Sequence, residues 1–381
     1  DAVRLRMVSD VPLGAFLSGG IDSSAVVGLM AGHTNQPVTT CAIGFDSKRF
    51  DEVHWAKKVA EQFKTDHHEF TVKDNVAESL ASIARFFDEP FADPSFVPTY
   101  FVSQLARQKV TVALAGDGGD ENFAGYSKYY TDHVENRLRG LFPAALRHNL
   151  FPGLARLAGM VNTGATRKAR SLLGTLALDP DEAFFITNSF FRRDVWNDLV
   201  KGELKRETHD YDPAEITRAH YKNADTDNHL SSILYTDIKT YLPGDILVKV
   251  DRMSMANSLE TRAPLLDYRV VEYVAQIPSA MKLHGKEKKF VLKKAFEKLL
   301  PEEVLYRKKM GFSVPLAQWL RNELFELAEG IFNSNEGGLA QCFDMRKVRR
   351  LWQNHQRGED KNTQELWSMV AFELWWRNYN R

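Results

Sequence analysis

Two rhythms of apolar residues alternate over the first third of the chain. Runs at residues 11–17, 38–45 and 110–115 are apolar or β-branched along most of their length, and residues 67–72 form a shorter run of the same kind. Such runs have the composition of strands buried on both faces. Between them, residues 23–31, 52–63, 76–87 and 99–108 carry apolar side chains at helical spacing, as at Val53, Ala56, Val59, Ala60 and Phe63. Strands alternating with helices predict an α/β fold, a parallel sheet with helices on both faces, over about residues 1–130. Ligands of such sheets bind beyond the carboxyl ends of the strands.

From about Thr131 the rhythm becomes helical. Residues 142–178, 180–200, 213–219, 230–247, 270–277, 289–300, 314–332 and 363–379 all read as helical segments, so residues 131–381 are expected to form an extended all-α region packed on the sheet. The Trp and Phe residues within 366–376 fit a helical core face. Residues 164–170, Gly-Ala-Thr-Arg-Lys-Ala-Arg, read as a mobile loop. There is no repeat period and no low-complexity segment.

Composition narrows the class. The chain has 381 residues, 44% hydrophobic and 26% charged, as in soluble globular proteins. Fifty Lys and Arg balance fifty Asp and Glu, so the chain as a whole offers no field for nucleic acid or an anionic membrane. No apolar stretch is long enough to span a bilayer, and no signal peptide is recognisable. Cys41 and Cys342 are far apart in sequence, which argues against a disulfide framework or cysteine zinc site and fits a reducing cytoplasm. The chain opens Asp1-Ala2-Val3-Arg4 without methionine, and we expect it to be part of something longer.

Two turns carry the candidate chemistry. The first strand run ends in Ser18-Gly19-Gly20-Ile21-Asp22-Ser23-Ser24 and feeds a helix. Glycines let a ligand approach the backbone, while the amides and dipole of a helix N-terminus favour an anion. Hydroxyls and a carboxylate in one turn suit a phosphate chain carrying a divalent metal. The same residues also suit a simple helix cap by Ser18 or Asp22 with two turn glycines. The run at 110–115 leads into Gly116-Asp117-Gly118-Gly119-Asp120-Glu121, and the two turns are expected to share one crevice. Neither Gly-x4-Gly-Lys-Ser/Thr nor Gly-x-Gly-x-x-Gly follows the first strand, which weakens kinase-like and dinucleotide-binding readings.

The heptapeptide resembles the PP-loop of the ATP pyrophosphatases, which cleave between the α and β phosphates of ATP. Four further blocks narrow the resemblance. Leu114-Ala115-Gly116-Asp117-Gly118-Gly119-Asp120-Glu121-Asn122-Phe123-Ala124-Gly125-Tyr126 is similar to the asparagine synthetase signature Ser-Gly-Glu-Gly-Ser-Asp-Glu-x-Phe-x-Gly-Tyr. Asp251-Arg252-Met253-Ser254-Met255 with Glu260-Thr261-Arg262-Ala263-Pro264-Leu265-Leu266-Asp267, then Lys286-Glu287-Lys288-Lys289-Phe290-Val291-Leu292-Lys293, then Arg307-Lys308-Lys309-Met310-Gly311-Phe312-Ser313-Val314-Pro315, follow that family's order. The resemblance covers nearly the whole chain and implies one synthetase domain at 1–381, an adenine-nucleotide α-hydrolase-like (PP-loop) sheet followed by a helical region.

That resemblance implies an ATP-dependent ligase that adenylates a carboxylate, aspartate first among candidates, and transfers ammonia to it, with ATP and Mg2+ as cofactors. It assigns Asp22 and Asp120 as the metal pair, although each could simply cap its turn. Ser18, Gly19, Gly20, Ser23 and Ser24 would cradle phosphate. Leu17, Ile43, Ala115 and Gly116 would meet adenine and ribose, and Glu52 or its neighbour Asp51 the nucleotide. Lys289, or an exposed lysine of the same basic run, would stabilise charge at the reacting centre. Asp117 stands where the family signature has Glu and would face the adenylate and the amine. Asp120 doubles as a catalytic residue, and Tyr126 is expected to be partly structural. Arg252, Glu260, Arg262 and Asp267 are expected to form a buried ion-pair network. Neither cysteine suits the N-terminal nucleophile of a glutaminase domain, so ammonia would come from such a domain in cis or in trans. A homodimer is compatible with the resemblance. It leaves open a β-lactam synthetase-type ligase with a Tyr–Glu proton pair, an amidotransferase acting on a surface-polysaccharide sugar acid, and a nucleotide-binding module without turnover. A PP-loop tRNA modifier is disfavoured, because the chain lacks a basic excess and a cysteine pair.

Overall fold

The computed structural model describes residues 1–45, 53–72, 76–161, 163–307 and 314–380. Strand β1 (Leu13–Phe16) leads through helix α1 (Ile21–Ala31) to β2 (Thr39–Phe45), and α2 (Val53–Phe63) leads to β3 (Asp66–Val72). After Val76–Ala84 and α3 (Phe96–Ala106), β4 (Val112–Leu114) returns to the other side of β1. The sheet is parallel in the order β3-β2-β1-β4-β5, where β5 is Glu260–Arg262. The connection order therefore reverses between β1 and β4, which is the topological switch point of an open α/β sheet. Alternate strand residues point to opposite faces. Ala15, Ala42 and Leu114 join the α1–α2 side, whereas Phe16, Cys41 and Ala113 pack with Ala106 of α3.

Short α4 (Gly119–Phe123) follows β4. The second half is mostly helical and includes α5 (Ala144–Ala158), α6 (Gly164–Leu176), α7 (Leu247–Met255), α8 (Phe290–Phe296) and α9 (Thr363–Tyr379). The expectation of an all-α second half is corrected in two places. It supplies strand β5, which pairs Val112 with Glu260 and Leu114 with Arg262, and a two-stranded ribbon of β6 (Leu283–His284) and β7 (Glu287–Lys288). A three-residue polar edge strand has too few positions to show alternation, so its pairing is set by the neighbour β4 rather than by its own pattern. Residues 164–170 are corrected from mobile loop to the start of α6. The Thr163 hydroxyl accepts from the Thr166 amide at 3.2 Å, and the Thr166 hydroxyl accepts from the Thr163 amide at 3.0 Å. This capping box uses threonine where glutamate or glutamine is the usual signal.

The expected buried network of Arg252, Glu260, Arg262 and Asp267 does not form: Arg252 stands apart, and Arg262 and Asp267 are linked only through Arg6. Arg252 pairs with Asp88 at 2.7 Å, and Arg262 pairs with Glu260 at 2.6 Å while donating to the Arg6 and Val8 carbonyls. Asp267 binds Arg6 at 2.7 Å and Arg269 at 2.8 Å. Only the Asp267 side chain is buried, because Arg252 and Glu260 reach into solvent. The 366–376 core face holds. Leu366, Trp367, Met369, Val370 and Leu374 of α9 are buried with Phe96, Trp319 and Phe332. The Trp367 indole N–H donates to the Ala92 carbonyl at 2.8 Å, which fixes the backbone just before Asp93. Trp367→Ala should cost about 3–5 kcal/mol by loss of packing, read as a lower urea midpoint; a loss under about 1 kcal/mol would show that this core does not hold the segment.

Candidate active site

Beyond β1 the chain turns through Ser18, Gly19 and Gly20 into α1. Gly19 is buried with φ +68°, and a Cβ there would strike the backbone of Trp55 in α2; only glycine meets both demands. Ser18 and Ser23 hold the turn together. Their hydroxyls lie 3.1 Å apart, the Gly20 amide donates to Ser18 Oγ at 3.3 Å, and Ser23 Oγ donates to the Gly20 carbonyl at 3.2 Å. The N-cap of α1 is Gly20 and no side chain caps the helix, so the simple cap by Ser18 or Asp22 is not what these residues form. Amides of an uncapped first turn are donors available to an anion.

Beyond β4 the second turn presses against the first. A Cβ on Gly116 would lie 2.9 Å from both the Asp22 Cβ and the Ser23 amide nitrogen. Gly118 has φ +85° and backs onto Leu266, while a Cβ on Gly119 would collide with the Asp22 carboxylate. Where the two turns meet lies Lys289, which is 3% exposed and sits at φ +54° just before α8. Its Nζ donates to Asp22 Oδ2 at 2.5 Å and pairs with Asp120 Oδ1 at 2.8 Å. Burial pulls the Lys289 pKa down, but the Asp120 and Asp22 carboxylates more than reverse this and hold it above the ordinary lysine value. A Cβ on Gly125 would strike both Asp120 and the Lys289 side chain.

One cavity of about 720 Å³ unites most of the expected residues. Leu17, Ser18, Gly20, Asp22, Ser23 and Ile43 line it together with Ala115, Gly116, Asp117, Asp120 and Lys289. Gly19 and Ser24 do not; Ser24 is fully buried behind the turn, with no partner for its hydroxyl. Glu52 and Asp51 lie outside the described residues, as do residues 308–313 of the last sequence block. Among the described residues no group of three or more His, Cys, Asp or Glu could hold a metal alone. The Asp22–Asp120 pair still fits Mg2+. Both are hard oxygen donors, Asp22 Oδ1 is buried without a hydrogen-bond partner, and Mg2+ is ordinarily held by one or two carboxylates plus substrate phosphates.

The far end of the cavity holds residues the sequence reading missed. Lys249 of α7 is buried, with Nζ at 2.7 Å from Asp93 Oδ2 and 2.8 Å from Ser95 Oγ. Asp93 is desolvated, yet Lys249 holds its pKa below the usual carboxylate range. Neighbouring Asp245 goes the other way, pushed up to about 7 by burial and the Asp93 charge. Asp117 lies between the two clusters. Burial raises it to about 6, with Asp22 and Asp120 adding to the rise and Lys249 opposing it. Tyr126 lines the cavity and donates to Glu121 at 2.8 Å behind it. A signal for Lys249 was present: it stands four residues before buried Met253, a lysine in the apolar phase of a helix.

Two outcomes follow from this geometry. Gly125→Ala should disrupt the Lys289–Asp120 pair while leaving the sheet folded, seen as local chemical-shift changes around Lys289 with little change in melting temperature; unchanged shifts would refute the close approach. The raised Asp117 pKa means that its ionised form is penalised by folding. That penalty is fully present above pH about 6 and is relieved as the pH falls toward 3.8. Asp117→Asn should therefore stabilise the protein at pH 8, by roughly 3 kcal/mol at most. The gain should fade below pH about 6 in urea titrations, and a gain that grows on acidification would contradict the assignment.

Comparison with known proteins identifies the family. The asparagine synthase family model matches residues 1–377. Asparagine synthetase [glutamine-hydrolyzing] 1 of Bacillus subtilis is 33% identical over 98% of this chain and 57% of its own length. Asparagine synthetase [glutamine-hydrolyzing] 3 of the same organism is 30% identical over 82% of the chain and 46% of its own length. Amidase chyE of Penicillium rubens is 25% identical over 86% and 50% respectively. The chain thus spans about half the length of the curated relatives it matches. The PP-loop turn and the Gly116–Tyr126 signature face one cavity across the β1/β4 switch point, and the chain belongs to the asparagine synthase family.

Proposed function

We propose that this cavity joins ammonia to a carboxylate at the expense of ATP, cleaved between the α and β phosphates. The observation that carries the reading is the Lys289 ammonium between Asp22 and Asp120 where the two glycine turns meet. The adenine would lie against Leu17 and Ile43, and the phosphates against the first-turn amides of α1. Asp22 and Asp120 would hold Mg2+, which when bound supplies positive charge to the phosphate oxygens. A carboxylate oxygen of the acceptor attacks the α-phosphorus, the α–β bridging bond breaks, and pyrophosphate leaves. Lys289, freed from part of its pairing, stabilises charge on the α-phosphate. Ammonia then attacks the acyl carbon and AMP departs. Asp117, ionised above pH about 6, would take the proton released by the amine.

Aspartate is the acceptor we infer, with asparagine as product. Both Bacillus subtilis relatives are named as glutamine-hydrolysing, and ammonia would be supplied here by a glutaminase domain in cis or in trans. The chain with Mg-ATP, ammonium and aspartate should release pyrophosphate and AMP in equal amounts, and other carboxylates should not replace aspartate. Release of ADP and phosphate would overturn the cleavage site, and dependence on another acid would overturn the acceptor. Asp120→Asn should lower pyrophosphate release at least about a hundredfold with the melting temperature nearly unchanged.

A further inference from the structure

One face of the molecule takes no part in this chemistry. Helices α5 and α6 pack on each other as a hairpin, and none of their residues lines the cavity. The inner side is anchored: Phe151 and Leu176 are buried together, and Arg147 is buried and donates to the Leu176 and Leu178 carbonyls at 3.0 Å. The outer side has no such cover. Leu146, Leu150, Leu154 and Leu157 recur at spacings of four, four and three, which is one stripe of a helix, and all four are exposed. Leu141 and Phe142 extend the exposed apolar surface before α5, and Met160 and Val161 extend it beyond; Met160 is 81% exposed and Leu157 61%. Apolar surface of this extent in water marks an interaction site.

Its charge identifies the occupant. Residues 137–178 contain seven Arg or Lys and no Asp or Glu, in a chain where fifty bases balance fifty acids overall. Arg139 and Arg147 are internal struts, while Arg137, Arg156, Arg167, Lys168 and Arg170 are exposed. A second copy of the chain would fit poorly, because a two-fold contact sets this patch against itself and bases against bases. Nucleic acid would satisfy the bases and leave the leucines in water. A bilayer with anionic headgroups satisfies both: acyl chains take the leucine stripe and lipid phosphates take the guanidinium and ammonium groups.

We propose that the α5–α6 hairpin seats the protein on an anionic lipid surface, with the Leu146–Leu157 stripe at the headgroup–acyl boundary and Arg167 and Lys168 on lipid phosphates. The attachment is peripheral, since among the described residues no helix is long and apolar enough to cross a membrane. Whole-chain neutrality, the basis for expecting no membrane contact, averages this segment away.

Flotation with lipid vesicles tests it. The chain should rise with phosphatidylcholine vesicles that contain phosphatidylglycerol, stay behind with phosphatidylcholine alone, and be partly released by high salt. Leu150→Glu with Leu154→Glu should abolish flotation, and Arg167→Glu with Lys168→Glu should weaken it on the order of tenfold or more. Both variants alter exposed positions away from the cavity, so far-ultraviolet circular dichroism and melting temperature should match the parent. Absence of flotation with anionic vesicles would overturn the proposal, as would flotation that neither variant reduces. Sedimentation showing a dimer that the leucine variant dissolves, without lipid binding, would assign the face to a protein contact instead and equally overturn it.

Discussion

A buried ammonium held by two carboxylates organises this molecule. Lys289 lies inside the protein mass, where an unpaired charge costs several kcal/mol, and Asp22 and Asp120 arrive from two different strand ends to meet it. The meeting is possible only because the sheet order reverses between β1 and β4, which sets the two turns side by side. It also requires Gly116, Gly119 and Gly125, whose missing side chains leave the space that Asp22, Asp120 and Lys289 fill. Lys289 itself takes a left-handed backbone, a conformation that costs a non-glycine residue on the order of 1–3 kcal/mol, and two short ion pairs hold it there.

The cavity's second charged group obeys the same rule with a different balance. Lys249 faces Asp93 and Asp245, and one lysine keeps only one of them readily ionised. Asp93 is held low while Asp245 is pushed up to about 7. Asp117 stands between the clusters and feels both, raised by burial and by Asp22 and Asp120 and restrained by Lys249. A carboxyl poised at about 6 is therefore a product of the whole cavity. It would change with Lys249, although that lysine touches its oxygens in no hydrogen bond described above.

Much of this was legible in the chain, for identifiable reasons. The four strands at 11–17, 38–45, 67–72 and 110–115 are read from local pattern and appear within two residues of their expected bounds. The two turns are read from residue type, since phosphate chemistry draws on a short list of side chains. Their sharing of a cavity follows from the parallel-sheet rule. What failed was whatever depended on a neighbour. Strand β5 is three polar-to-mixed residues that become a strand because β4 offers an edge. The Thr163 box lacks the usual acid. Asp93 is one carboxylate among many until Lys249, far along the sequence, is placed against it.

The same dependence on neighbours separates two helices whose sequences look alike. Helix α9 and helix α5 both carry large apolar side chains at helical spacing. Those of α9 are buried against Phe96, Trp319 and Phe332, whereas the leucine stripe of α5 is exposed. Periodicity reports that a face is apolar and is silent on what covers it. Charge carries the missing information, provided it is read segment by segment. Glu365 and Glu373 of α9 are buried, Glu365 pairing with Arg192 and Glu373 accepting from the Leu339 amide at 2.9 Å, so that helix is closed within the protein. Residues 137–178, which contain α5 and α6, carry seven bases and no acid of their own. Asp179 just beyond pairs with the buried Arg147, while Arg137, Arg156, Arg167, Lys168 and Arg170 are exposed, and a surface that is apolar and one-signed is complementary to something outside the chain.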